Sequence, residues 1–494
     1  MSYIPSKYQK AIFEFIETGS GNAVINAVAG SGKSSTLVDS LKKIDSSKSV
    51  LFLAFNKAIV EELKIKVGKM PNVTIKTLHS LGASVVNRSL WAVETKATKY
   101  TAYINSLLHN DAEGSLTEGV TKGDLKEFKS NIFALIDLCR SNLTKTKEEA
   151  KDLAAKHGLN LKGHEIALAF KAIRWGLQNE DEIDFTDMLT FPLVKGMRLT
   201  YFDFVFIDEC QDLNAAQREL FLKCIKPETG RFIAVGDPQQ AIYGFAGADS
   251  KSFKLLQDLP NTETMPLSVC YRCDSKIIKM AQTIVPHIEC RDGAPEGTVE
   301  HKAELSMVED GDMILCRLTA PLVDVCLRYI RQGIKAYVKG GDIGAGLIKL
   351  IEDTAVFKTN DILDRLGLRL YSVAADHAKA NKCTITEAQE SEAYTRLADR
   401  IKAVEILSKG LENGAEISAR IRSIFAESAQ GICLSSIHRS KGLECPRVFI
   451  LCPELLWHPR SMQQQWTAEQ EDNLVYVAYT RAMHYIGFIR DYEY

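Results

Sequence analysis

The sequence predicts an α/β protein with two parallel-sheet halves, each interrupted by a mainly helical insertion. Three observations carry this expectation. Short apolar runs rich in β-branched and aromatic residues recur along the chain, and most end in a loop that opens a helical pattern. Two stretches, 85–200 and 345–425, break the alternation with charged, helix-periodic sequence such as KGDLKEFKSNIFALIDLCRSNL and AYTRLADRIKAVEILSKGLENGAEISARIRSIF. At 494 residues the chain is also too long for one hydrophobic core, and length alone suggests about three domains.

Taken in order, the runs Ala23–Val28, Val50–Phe55, Val73–Thr77, Phe204–Ile207, Phe232–Val235, Met313–Cys316, Ala336–Val338, Ile432–Ser436 and Val448–Cys452 read as buried parallel strands. In such sheets ligands are expected at the carboxyl ends of the strands. No internal repeat or low-complexity tract is visible.

Composition narrows the function classes. Apolar content of 46% and charged content of 25% are those of an ordinary globular protein. No apolar run approaches the roughly 18 residues of a membrane span, and MSYIPSKYQK lacks the apolar core of a signal peptide. The expectation is no membrane association and a cytoplasmic location, in a cell or a virus-infected host, or the nucleus if the source is eukaryotic. Twelve scattered cysteines suit a reducing compartment. The single CxxC, Cys270-Tyr-Arg-Cys273, has no second pair to complete a zinc or iron–sulfur site, so no structural metal is expected. A net charge of −2 excludes binding of nucleic acid by bulk electrostatics and leaves a local groove with stacking side chains.

The most informative segment is NAVINAVAGSGKSSTLVDSL. A strand runs into Gly30-Ser31-Gly32-Lys33-Ser34, and an amphipathic helix follows. The glycines let the backbone turn so that several N–H groups face one phosphate, and the helix N-terminus adds its positive dipole end. Lys33 supplies a point charge to the β- and γ-phosphates, and the Ser34 hydroxyl is a Mg²⁺ ligand. Ala27 stands where the usual pattern has its first glycine. A second strand, Phe202–Ile207, ends in Asp208-Glu209-Cys210-Gln211-Asp212. Alone this would pass for a solvated acidic turn. Beside a phosphate loop, Asp208 is the Mg²⁺ acid and Glu209 the base for an attacking water.

These residues, with others in order, resemble superfamily 1A helicases of the UvrD/Rep type. KYQKAI resembles the adenine-reading Q motif, with Gln9 as reader. AVAGSGKSS is similar to motif I, which implies nucleotide contacts from Ala29 through Ser35, and IDECQD to motif II. LAFNKAIVEEL resembles motif Ia, KTLHSLG the next strand-contact motif, and DFTDML the family's DFxDLL element. VGDPQQAIYGFAGA, CYRCDSKII, SSIHRSKGLECPRVFIL and EQEDNLVYVAYTRA resemble motifs III to VI. The wording of motifs Ia and VI is closer to the F-box DNA helicase branch and its viral or bacterial relatives than to UvrD.

The resemblance implies two RecA-like domains with ATP and Mg²⁺ in the cleft between them: 1–84 with 191–266, and 267–340 with 428–494. It implies a helical insertion at 85–190 and a short one at 341–427. Gln240 would sense the γ-phosphate, Arg272 and Arg481 would act as arginine fingers, Tyr271 would stack on adenine, and Glu444 would contact ribose. Always-charged, forked guanidinium groups suit phosphate oxygens. Tyr243 and Phe245 would stack on bases. Phe55, Asn56, Thr77, His79 and His438 match strand-contact positions, although a lone histidine is more often a structural donor. The partners implied are single-stranded DNA and 3′-tailed duplex, with replication or recombination proteins. The activity implied is ATP-dependent 3′-to-5′ translocation and unwinding, with a non-unwinding translocase as alternative. Departures from the family pattern are Ser35 for arginine, Phe245 for tryptophan, Asn473 for arginine, and a second insertion far shorter than in UvrD or Rep.

Overall fold

Apolar runs become strands where both sheet faces are covered, and the first sheet follows that rule. The computed structural model describes residues 4–494 apart from 92, 111–124, 158, 160, 243–250, 427–429 and 458–464. The chain divides into two units, one of residues up to 28 with 32–268 and the other of 29–31 with 269–494.

The first unit contains β1 (Asn22–Ala27), β2 (Val50–Ala54), β3 (Val73–Thr77), β4 (Glu94–Thr95), β5 (Glu182–Ile183), β6 (Phe204–Ile207), β7 (Arg231–Gly236) and β8 (Thr262–Leu267). Six of these form a parallel sheet in the order β3-β2-β6-β7-β1-β8. Every residue of β2 and β6 is buried, as expected for a sheet covered on both faces. Its helices are α1 (Lys7–Thr18), α2 (Lys33–Leu41), α3 (Lys57–Val67), α4 (Leu78–Ser89), α5 (Lys99–His109), α6 (Leu125–Ser141), α7 (Lys147–Lys156), α8 (Gly163–Gln178), α9 (Phe185–Val194), α10 (Ala215–Leu222) and α11 (Ser252–Gln257). β8 was not expected. It is an edge strand, largely exposed on one side and bearing Pro266, so it lacks the continuous apolar run of a buried strand.

The first insertion has its own core, in which Tyr100, Ile132, Leu135 and Ala169 pack together. A buried ionic network ties it to α9. Lys99 Nζ donates to Asp187 Oδ2 at 2.8 Å and to the carbonyls of Gly176 and Asn179. Arg140 Nη1 donates to Asp184 and Asp187 at 2.8 and 2.9 Å, and the Tyr100 hydroxyl donates to Asp187 Oδ1 at 2.9 Å. Residues 84 and 190, the insertion edges expected from sequence, lie inside α4 and α9.

The second unit contains β9 (Val269–Cys270), β10 (Glu289–Cys290), β11 (Thr298–Glu300), β12 (Met313–Cys316), β13 (Ala336–Lys339), β14 (Ile432–Ser436), β15 (Cys445–Leu451) and β16 (Ala482–Ile489). Its six-stranded parallel sheet has the order β11-β16-β15-β12-β14-β13. Its helices are α12 (Ser275–Ala281), α13 (Thr319–Arg331), α14 (Gly341–Glu352), α15 (Thr359–Asn381), α16 (Ile385–Gln389), α17 (Glu392–Ser408), α18 (Gly414–Ile424), α19 (Ile437–Ser440) and α20 (Gln465–Tyr479). The second insertion differs from the first: Leu347, Ile362, Val404 and Ile421 share one core with Ile314 and Leu434 of the sheet. Among the described residues no helix is long and apolar enough to cross a membrane.

Candidate functional site

Three strand ends of the first sheet bring the charged residues together. Lys33 opens α2 after β1, Asp208 and Glu209 follow β6, and Asp237 follows β7, the strand between them. Between β1 and α2 the chain turns through Gly30 and Gly32, both left-handed at φ 66° and 78°, a conformation that side-chain-bearing residues rarely adopt. Ser31 Oγ in this loop is buried with no hydrogen-bond partner, an orphan donor suited to an anionic oxygen.

Lys33 Nζ lies 3.2 Å from Glu209 Oε1. Burial opposes the Lys33 charge, but Glu209, Asp237 and Asp208 more than offset it, so the ammonium is held more firmly than usual. Glu209 sits at φ 53°, ψ 42°, a left-handed conformation that costs roughly 1–3 kcal/mol for a non-glycine residue. Gln211 locks this geometry. Its Nε2 donates to Glu209 Oε2 at 2.5 Å, and its Oε1 accepts from the Asp237 N–H at 3.0 Å. Gln240 Nε2 donates to Asp237 Oδ2 at 2.6 Å.

Asp237 and Gln211 were not singled out from sequence. The signal was present, an acid at a strand end and a carboxamide two residues after Glu209, but only the strand order brings them together. Burial raises the Asp237 carboxyl to about 6 despite the opposing pull of Lys33 and Gln240. The folded chain therefore holds that proton more tightly than the unfolded chain. The stability this confers is complete below the ordinary value of 3.8 and is lost as pH rises through about 6. Asp237→Asn removes the loss. Its thermal midpoint is expected to exceed that of the parent at pH 8, by about 2–4 °C per kcal/mol recovered, and the gap should shrink below pH 6 in a pH series of melts.

Gln9 is fully buried and performs two local tasks. Its Oε1 accepts from the Ser6 N–H in a capping box on α1, and its Nε2 donates to Thr36 Oγ1 of α2 at 2.9 Å. Ser34 and Asp208 offer only hard oxygen donors, which fits a Mg²⁺ ion carried with a nucleotide. Among the described residues no cluster of three or more histidine, cysteine or acidic side chains is arranged to hold a metal ion by itself.

Four of the expected strand contacts, Phe55, Asn56, Thr77 and His79, lie at the carboxyl ends of β2 and β3, on the same side of the sheet. Phe55 is 50% exposed. Asn56 and Thr77 cap α3 and α4, accepting from the N–H groups of Ile59 and Ser80 at 2.9 and 3.1 Å. His79, whose proton affinity burial lowers, meets Phe185 edge-on with ring centroids 6.4 Å apart. Phe185 is 58% exposed and was not singled out from sequence. Phe55, His79 and Asp208 line one small cavity, so the aromatic edge adjoins the acidic strand end. Tyr243 and Phe245 lie outside the described residues.

The second unit gathers Arg272, Glu444 and Arg481 around Thr480. Arg272 Nε donates to Glu444 Oε2 at 2.6 Å, and its Nη1 to the Thr480 carbonyl at 3.1 Å. Arg481 is almost wholly buried and donates to the carbonyls of Val477 and Leu443 at 3.0 and 2.8 Å. Tyr271 immediately precedes Arg272 and is partly exposed. Cys270 and Cys273 are buried free thiols, the Cys273 N–H pointing at Cys270 Sγ at 3.5 Å. Burial, reinforced by Arg317 and Arg396, pushes His438 down to about 4, so its ring is neutral at pH 7.

The UvrD/REP helicase N-terminal domain profile matches residues 8–260, and the UvrD-like helicase C-terminal domain profile matches residues 369–489. The chain is 27% identical to F-box DNA helicase 1 of Gallus gallus over 93% of its own length and 46% of that protein's. It is 25% identical to ATP-dependent DNA helicase Rep of Escherichia coli K12, over 57% of its own length and 43% of the relative's. It is also 25% identical to ATP-dependent DNA helicase PcrA of Staphylococcus epidermidis, over 56% of its own length and 39% of the relative's. The chain thus spans under half the length of these relatives. With the first profile covering half the chain and the second a further part, this protein belongs to the UvrD/Rep helicase family.

Proposed function

We propose that this chain is an ATP-driven motor that moves 3′ to 5′ along single-stranded DNA and unwinds duplex from a 3′ tail. The observation that carries the proposal is the convergence of Lys33, Asp208, Glu209 and Asp237 at three strand ends, with exposed aromatic rings on the adjoining edge of the same sheet. Family membership supports the ATP and DNA parts of this reading, and the names of the matched relatives support the helicase part.

In this reading the loop at Ala29–Ser35 holds the phosphates, with Lys33 as their principal charge. Mg²⁺ carried with ATP would be held by Ser34 and Asp208 and would neutralise phosphate charge. Glu209 accepts the proton of the attacking water. Gln240, tethered to Asp237, registers the γ-phosphate. Arg272 exchanges its Glu444 and Thr480 acceptors, and Arg481 its carbonyl acceptors, for phosphate oxygens, which for Arg481 is a stronger, charge-assisted pairing. Bases stack on Phe55, Phe185 and the proposed pair Tyr243 and Phe245. Motion follows if ATP binds one conformation better than another.

The test is ATPase and strand-displacement activity on 3′-tailed, 5′-tailed and forked DNA. The expected result is unwinding from 3′ tails with DNA-stimulated turnover; unwinding from 5′ tails alone would falsify the polarity. A second reading, a translocase that strips bound proteins without unwinding, is favoured by the second insertion. It shares its core with the sheet, so it is not built as a separate lobe. Displacement of a bound protein without strand separation would select it.

A further inference from the structure

Arginines gather where the second insertion meets α19. Arg439 on α19 pairs with Asp342, and Arg400 on α17 donates from Nη2 to the Gly346 carbonyl at 2.6 Å. Asp342 and Gly346 are four residues apart on α14, which puts them on one helix face, roughly 6 Å apart. Both guanidinium groups therefore reach the first two turns of α14. Arg396 lies one turn before Arg400 on α17 and is exposed. Arg369, also exposed, lies on the adjoining α15 with Asp353 at 3.9 Å.

These charges are close enough to act on one another. Burial, then the fields of Arg369 and Arg396, lowers the proton affinity of the Arg400 guanidinium. Like charges at i and i+4 on one helix face are unfavourable. Asp399, the carboxylate next to Arg400 in the chain, is engaged by backbone: it accepts from the N–H groups of Thr319 and Ala320 at 2.9–3.0 Å. The 3.9 Å separation of Arg369 and Asp353 is a loose pair.

We propose that Arg369, Arg396 and Arg400 form, with Arg439, a phosphate-binding strip that holds the backbone of the nucleic-acid strand on the second insertion, continuous with His438. Forked guanidinium groups fit phosphate oxygens in two-point contacts, and a phosphodiester chain supplies anions at the spacing of a helical strip. The insertion shares its core with the sheet, and the Arg439–Asp342 pair joins α14 to α19. The inference rests on the motor reading and adds a strand contact to a part of the chain that reading leaves idle.

The test is equilibrium binding of a single-stranded oligothymidine to the full chain across a salt series. Every arginine–phosphate pairing abolished should lower the slope of log K against log salt by roughly 0.7. The double substitution Arg369→Gln with Arg396→Gln is therefore expected to lower the slope by about 1.4 and weaken binding several-fold at low salt, with the thermal midpoint as control for folding. Arg369→Lys with Arg396→Lys should keep most of the slope, which a purely structural role would not predict. An unchanged slope in the glutamine variant, while the parent binds normally, overturns the strip and leaves the motor intact. A parent chain that does not bind the oligonucleotide overturns both.

Discussion

Lys33→Ala is expected to lower ATP turnover by roughly 10²–10³-fold, the loss usual when a principal electrostatic donor to a transition state is removed. The structure adds a second effect. Lys33 is the cation facing Glu209, Asp237 and Asp208 at once. Without it, three carboxylates face a triphosphate, so nucleotide affinity should fall together with turnover. The Asp237 carboxyl, already raised to about 6, should rise further. Phosphate-release kinetics and titration with a fluorescent nucleotide separate the two losses. Strand binding should stay near normal, because Phe55 and Phe185 do not depend on the ammonium. Unchanged turnover would remove Lys33 from the site.

Glu209→Gln should separate binding from chemistry. The amide keeps the shape of the side chain and its contact with Gln211, but it no longer accepts a proton. Turnover is expected to fall by about 10²–10⁴-fold. Nucleotide affinity should hold or tighten, since a negative charge leaves the neighbourhood of the phosphates while Lys33 remains. Single-turnover hydrolysis alongside equilibrium nucleotide binding gives the answer. Near-normal turnover would mean that the strained backbone at Glu209 serves only to shape the turn, and that another group accepts the proton.

The sequence made the buried strands legible because a parallel sheet covered on both faces demands continuous apolar runs, as in β2, β6 and β12. It hid β8, where exposed positions and Pro266 erase that run, and β16, where exposed His484 between half-buried Met483 and Tyr485 delays the continuous buried run until Ile486. In the candidate site, Lys33, Asp208 and Glu209 are local features of strand–loop–helix segments and could be read directly. Asp237 joins them, and Gln211 bridges it to Glu209, only because β7 lies between β1 and β6, a fact of topology. The pairing of Arg272 with Glu444, and the shared attachment of Arg272 and Arg481 at Thr480, join segments some 170 to 210 residues apart. Asn56 and Thr77 illustrate the converse: their family positions were legible, but their capping hydrogen bonds were not.

The buried network of Lys99, Tyr100, Arg140, Asp184 and Asp187 bears on how this protein could change over generations. Removing any one of the four charged members, Lys99, Arg140, Asp184 or Asp187, leaves an opposite charge short of its partner in a dry interior, a loss of about 3–5 kcal/mol, a large share of the stability of an ordinary domain. Its members come from α5, α6 and α9, so gradual erosion of the first insertion meets that penalty at its first step. The insertion is therefore expected to be inherited whole or discarded whole. Natural variants at these five positions should appear as compensated sets, with single exchanges rare.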